Sequence, residues 1–200
     1  VYVDGKHLAH HDGGYSTWRV DVTEHIGAMS LLAIKVDNSA NDRVYPQMAD
    51  FTFYGGLYRD VNIICVGESH FDLDYFGGPG LKVTPEIVEK NAKVEIEAYV
   101  TGMKDGQQLR YTICTPCGCE VASTTTADTK VVLDIADVHL WHGRKDPFLY
   151  TAKIDLLDGE TVIDNISTRF GCRTFRIDPD NGFILNGEEN PLRGVSRHQD

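Results

Sequence analysis

Apolar side chains fall on every second position through most of this chain. Ala92, Val94, Ile96, Ala98 and Val100 share one parity, and Lys93, Glu95, Glu97, Tyr99 and Thr101 take the other. Successive strand side chains point to opposite faces, so this segment predicts one buried face and one wet face. Phe148-Tyr150-Ala152-Ile154-Leu156, Leu32-Ile34-Val36 and Val131-Leu133-Ile135 repeat the pattern. Asp4-Gly5, Asp105-Gly106, Asp158-Gly159, Asn181-Gly182 and Asn186-Gly187 punctuate it, with glycine supplying the positive φ that tight hairpins require. No stretch keeps an apolar face at helical spacing for three turns, and Thr84–Lys90 makes one short turn at most. The expected class is all-β.

The strands fall into groups. Residues 1–67 carry strands and glycine-rich loops, with aromatic side chains crowded into Asp50–Tyr58. Gly67 to Gly80, containing Gly77-Gly78-Pro79-Gly80, reads as a linker. From Leu81 to about Phe175 come roughly seven short strands with turn signals at about 8–12-residue spacing, the pattern of an immunoglobulin-like sandwich. Residues 176–200 hold two Asn-Gly turns and then a strand, Pro191 to Asp200, that passes from apolar to polar. The expected division is therefore 1–67, 68–175 and 176–200.

Composition narrows the partners. With 19 basic and 30 acidic residues in 200, the net charge is −11. That argues against a nucleic-acid partner, which needs clustered Lys and Arg, and against docking on anionic membrane surfaces. The longest apolar runs, Leu31–Ile34 and Ile63–Val66, fall far short of the roughly 18 residues a membrane-spanning helix requires. The five cysteines, an odd number, point to a reducing compartment, and hence to the cytoplasm. The chain opens within a strand-like segment, Val1-Tyr2-Val3, without an initiator Met or a signal peptide, and reads as a piece of a longer protein.

Several clusters are candidate sites. Cys114, Cys117 and Cys119 offer three thiols within six residues, enough to begin a zinc or iron site. No matching partner pair is present, and Pro116-Cys117-Gly118 reads as the turn of a hairpin between Arg110–Ile113 and Glu120–Ser123. His10 and His11 are neighbours, which in a strand face opposite ways and do not chelate one ion easily. Glu188-Glu189 follows an Asn-Gly turn and reads as a solvated hairpin tip. The segment from Asp50 to Asp60 sets a carboxylate beside several aromatics and two glycines. That suits a sugar, whose apolar ring face stacks on aromatics while its hydroxyls donate to a carboxylate, and such a carboxylate also suits a hard monovalent cation. A sandwich core with a tight turn is the other reading. Arg193 to Asp200 is either a barrel strand ending at an active site or a charged terminus.

Four motifs, in order, resemble glycoside hydrolase family 2, most closely its bacterial β-galactosidases. They are Val1–Lys6 with His11–Tyr15; Asp50-Phe51-Thr52-Phe53-Tyr54-Gly55-Gly56-Leu57-Tyr58-Arg59-Asp60-Val61; Asp146-Pro147-Phe148-Leu149-Tyr150; and Gly182–Gly187 followed by Leu192–His198. The resemblance implies the later part of a jelly-roll sugar-binding domain, an immunoglobulin-like sandwich and the first strand of a catalytic (β/α)8 barrel. It implies a retaining glycosidase acting on terminal β-galactosides, with an acid and a nucleophilic glutamate about 5–5.5 Å apart. Both glutamates lie on later barrel strands in the family, so the chain alone is expected to be inactive. By the same resemblance Asp50 binds the galactosyl unit and a sodium ion, and His198 binds the glycosyl unit. Arg59 and Asp60 are expected to form an ion pair closing the Gly55-Gly56 turn. Sodium and magnesium are implied for the whole protein, as is a homo-oligomer. The rival readings are a β-glucuronidase or β-mannosidase of the same family, and a non-catalytic carbohydrate-binding or interaction module.

Overall fold

The computed structural model describes residues 1–44 and 54–196. The chain is all-β and divides into two compact units, one of residues 1–64 with 194–200, the other Cys65–Arg193.

In the first unit β1 (Tyr2–Val3) pairs antiparallel with β2 (Lys6–His7) and with β3 (Leu32–Ala33). Asp4 and Gly5 take φ of 50° and 81° and turn β1 into β2. The Asp4 carboxylate also accepts the Leu31 amide at 2.7 Å, tying β3 to that turn. The alternation Leu32-Ile34-Val36 does not extend into a longer strand. Leu32 is 37% exposed and Val36 44%, because no second apolar layer among the described residues of this unit covers that face.

The second unit is a β-sandwich. In chain order it contains β4 (His70–Phe71), β5 (Leu81–Val88), β6 (Asn91–Ala98), β7 (Val100–Thr101), β8 (Gln107–Cys114), β9 (Glu120–Thr126), β10 (Lys130–Ile135), β11 (Tyr150–Asp158), β12 (Thr161–Phe170), β13 (Phe175–Asp178), β14 (Gly182–Leu185) and β15 (Glu188–Glu189). One sheet runs β10-β6-β5 and the other β12-β11-β8-β9, all pairs antiparallel. The alternation predicts the inner faces. Val94 and Ile96 of β6, Leu109, Tyr111 and Ile113 of β8, and Ala152, Ile154 and Leu156 of β11 are all fully buried. Burying one such aliphatic side chain is worth about 1.5–3 kcal/mol, so these inward rows dominate the unit's stability.

Two local expectations are corrected. Residues 84–90 form no helical turn. Thr84–Val88 lie in β5, and Pro85 is tolerated there because β5 is an edge strand that need not donate at every position. The Gly67–Gly80 stretch is not a free tether either. Phe71 is 3% exposed, its amide donates to Asp164 Oδ2 at 2.8 Å, and β4 pairs with β7. A Cβ on Gly80 would meet the Asp72 carbonyl at 2.7 Å, so glycine allows that close return.

Candidate functional site

Asp50 and His198, the residues expected to touch sugar, both lie outside the described residues. Next to the first, Arg59 forms no ion pair with Asp60. Its guanidinium instead reaches the Tyr15 carbonyl at 3.5 Å and lies over the Tyr58 ring at 5.4 Å. Sequence neighbours in extended chain diverge, which explains why the expected pair does not form. His10 and His11 likewise part company. His10 Nε2 meets Asp12 Oδ1 at 2.9 Å, while His11 stacks on Trp18 with centroids 5.1 Å apart. Hydrogen bonding from His10, with the Arg43 charge nearby, holds the Asp12 carboxyl below its usual range.

The Asp146–Tyr150 motif builds a corner. Asp146 Oδ2 bonds His139 Nε2 at 2.6 Å, and the Phe148 ring stacks on His139 with centroids 4.0 Å apart and planes 9° from parallel. Tyr150 lies inside the sandwich, and its hydroxyl accepts the His139 amide at 2.9 Å. One motif thereby fixes both ends of the loop that precedes β11.

That loop carries Trp141, whose amide donates to the Cys172 carbonyl at 2.8 Å. Gly171 passes beneath it, and a Cβ there would sit 3.0 Å from Trp141 Cβ. The Asn186-Gly187 turn clamps the other side. Asn186 adopts φ 51°, exchanges hydrogen bonds with Thr174, and donates from Nδ2 to the Trp141 carbonyl at 3.0 Å. Between these parts opens a cleft of about 320 Å³ lined by Trp141, Arg173, Phe175, Phe183, Leu185, Asn190 and Leu192. The Arg173 guanidinium lies over the Trp141 ring at 4.9 Å. The lining includes no carboxylate, so the cleft supports stacking and apolar contact but no proton transfer between paired acids. The cleft was not apparent from sequence, since its residues lie in three separated segments and follow no single period; Trp141 beside a Phe-Ile-Leu-Asn-Gly hairpin was the available signal.

The cysteine-rich segment forms the hairpin turn joining β8 to β9. The Thr115 amide donates to the Cys119 carbonyl and the Gly118 amide to the Thr115 carbonyl, both at 2.9 Å, with Gly118 at φ 84°. Among the described residues no group of three or more His, Cys, Asp or Glu side chains converges as a metal site would. Glu188 and Glu189 lie exposed on β15. Among the same residues no helix is long and apolar enough to cross a membrane.

This unit is a two-sheet antiparallel β-sandwich with a turn-locked aromatic corner. The family model for glycosyl hydrolases family 2 matches residues 79–173, from the start of β5 to just beyond β12. Together with the relatives below, this assigns the chain to that family. A β-glucuronidase of Bacteroides fragilis is 32% identical over the whole chain, and a β-galactosidase of Thermoanaerobacter pseudethanolicus 28%. The crystal structure of an FMN-binding β-glucuronidase from Facaelibacterium prausnitzii L2-6 superposes on the whole chain with a TM-score of 0.91 at 41% identity. The chain covers 31%, 28% and 31% of those proteins respectively, so it spans less than a third of the relatives it matches.

Proposed function

We propose that this chain is the accessory β-sandwich portion of a retaining β-glycosidase, and that the whole protein releases terminal β-D-galactose. The observation that carries the glycosidase reading is the similarity along the full 200 residues to proteins named as glycosidases. In this chemistry a carboxylic acid protonates the glycosidic oxygen while a carboxylate attacks the anomeric carbon, and water then hydrolyses the glycosyl-enzyme. The resemblance puts both glutamates on barrel strands outside this chain, so on this reading the chain positions rather than catalyses. The galactoside reading rests on the resemblance, which sets Asp50 toward the C6 side of the sugar, where a carboxylate suits a neutral hydroxymethyl group and repels a glucuronate.

A β-glucuronide is the second reading, favoured by a different observation: the relatives at 32% and 41% identity are both named β-glucuronidases. By the family resemblance, Asp50 offers a hard oxygen donor of the kind sodium takes, and His198 would contact the glycosyl unit. Magnesium finds no group of three or more candidate ligands among the described residues. Neither ion enters a step of this reading.

The test is the whole protein assayed on chromogenic β-galactoside and β-glucuronide. A galactoside kcat/KM at least about 10-fold higher supports the first reading, and the reverse ratio replaces it with the second. Sugar binding without turnover of either substrate, or of a β-mannoside, would overturn the glycosidase reading in favour of a binding module. The 200-residue chain alone is expected to give no turnover above a buffer blank.

A further inference from the structure

The hairpin tip between β8 and β9 holds a chemistry that glycoside cleavage does not use. Cys117 Sγ and Cys119 Sγ lie 3.1 Å apart, both on exposed residues. In an extended strand residues two apart share a face but stand too far apart for their sulfurs to touch, so this contact needs a bend between them. Here Gly118 supplies the bend at φ 84°, with open space around its Cα. The bonds between Thr115 and Cys119 and between Gly118 and Thr115 hold that bend in place. Cys114 stands apart from the pair, in the β8 ladder opposite Thr151 and Glu120.

We propose that Cys117 and Cys119 form a thiol–disulfide exchange site whose co-reactant is a low-molecular-weight disulfide. The Cys117 thiolate attacks one sulfur of the reagent, RS–SR, and the other leaves as RS⁻ and takes a proton from solvent. Cys119 then loses its proton, attacks Cys117 Sγ, and expels the second RS⁻. Two electrons and two hydrogens pass from the protein dithiol to the reagent, giving one protein disulfide and two RSH.

The two sulfurs are suited to different halves of this sequence. Hydrogen bonds from Thr115 and then from Cys119 hold the Cys117 thiol down to about 7. Cys119 is pushed upward by its bond to Cys117 and by that neighbour's charge. The first sulfur is thus about half ionised at neutral pH and supplies the thiolate that attack needs, while the second stays the more protonated of the two until Cys117 has been capped. Cys172 is the opposite case, fully buried, with burial pushing its thiol up to about 11.

The test treats the chain with oxidised glutathione at neutral pH and follows intact mass and cysteine-containing peptides. The wild-type chain should lose two hydrogens in the peptide bearing Cys117 and Cys119. Cys119→Ser should stop at a glutathione adduct on Cys117. Cys117→Ser should slow capture at this hairpin about 5–10-fold, since the gain in thiolate fraction is partly offset by lower nucleophilicity. A glutathione adduct that persists on Cys117 while Cys119 is still a thiol would overturn the proposal. Equal capture rates in wild type and Cys117→Ser would do so as well. Both positions are exposed, and unchanged circular dichroism confirms that the variants are folded.

Discussion

The two units use similar sequence patterns to different ends. In Cys65–Arg193 the alternating segments become strands of six to ten residues in the two facing sheets, and their inward rows vanish from solvent. In residues 1–64 the strands are two residues long, and Val3 is the buried hydrophobic among the described ones. Leu31 remains 71% exposed there and Ile63 67%. Alternation specifies a strand only when a second layer exists to receive its apolar face. The sandwich supplies both layers from its own chain, so its stability is internal.

The largest expected effect tests that contrast directly. Ile154→Ala removes a fully buried side chain at the centre of β11 and is expected to cost about 3–4 kcal/mol. Leu31→Ala should fall within about 0.5 kcal/mol of wild type. Each unit holds one of the two tryptophans, Trp18 and Trp141, so Trp18→Phe leaves a fluorescence report on the sandwich alone. Urea midpoints in that background give the first number, and Trp141→Phe gives the complementary one. Equal losses for the two truncations would break the comparison.

What the sequence made legible follows the same division. The inner rows of β6, β8 and β11 and all five Xaa-Gly turns could be read, because period two and positive φ are local properties. β5 was hidden by Pro85, whose tolerance depends on an edge position that only the assembled sheet defines. Phe71 was hidden in a glycine-rich stretch, since a single buried side chain has no period. At the candidate site, the Asp146–Tyr150 motif could be found but not its purpose. Its partner is His139, brought onto it by a loop, and the cleft at Trp141 needs three segments that meet only after folding. Asp50 and His198 were legible as a resemblance, and they lie outside the described residues.

A second, smaller effect sharpens the comparison, because it asks whether the sandwich also depends on a buried charge. Asp155 is 2% exposed on β11, and Arg110 on β8 donates to its Oδ2 from Nη2 at 2.6 Å and from Nε at 3.1 Å. Burial pushes this carboxyl up, but the Arg110 bonds and the nearby Lys153 charge outweigh it and hold the group below its usual range. Lys153 Nζ lies 3.1 Å from Oδ1, yet that oxygen has no partner in hydrogen-bond geometry. Arg110→Ala therefore leaves a buried carboxylate with one poorly aligned cation. The expected loss is about 3 kcal/mol, at the low end for removing one partner of a buried pair because Arg110 is itself 44% exposed. Double substitution to Arg110→Leu with Asp155→Leu should recover most of it, since the cost lies in the unpaired charge. Failure of the double variant to recover would assign the loss to packing instead.

The smallest effect is confined to the β13–β14 hairpin, which belongs to the sandwich unit but contributes an exposed turn. Asp178 accepts from the Arg176 guanidinium, and its Oδ1 accepts the Asn181 and Asp180 amides at 3.0 and 3.1 Å. These bonds, the Arg176 one first, hold its carboxyl down to about 2 from an ordinary 3.8. A depressed folded value means that the ionised form stabilises the turn. That contribution is complete above the ordinary value and is lost as the pH falls from about 4 through about 2. The Asn181 and Asp180 amide resonances should therefore shift with a midpoint near 2, and Asp178→Asn should abolish the transition. The side chains around it are solvated, so Asp178→Asn should hardly change the melting temperature of the sandwich. A midpoint near the ordinary value would show that the turn does not hold the carboxylate. A large fall in melting temperature on Asp178→Asn would show that the hairpin and the core do not behave as separate contributors.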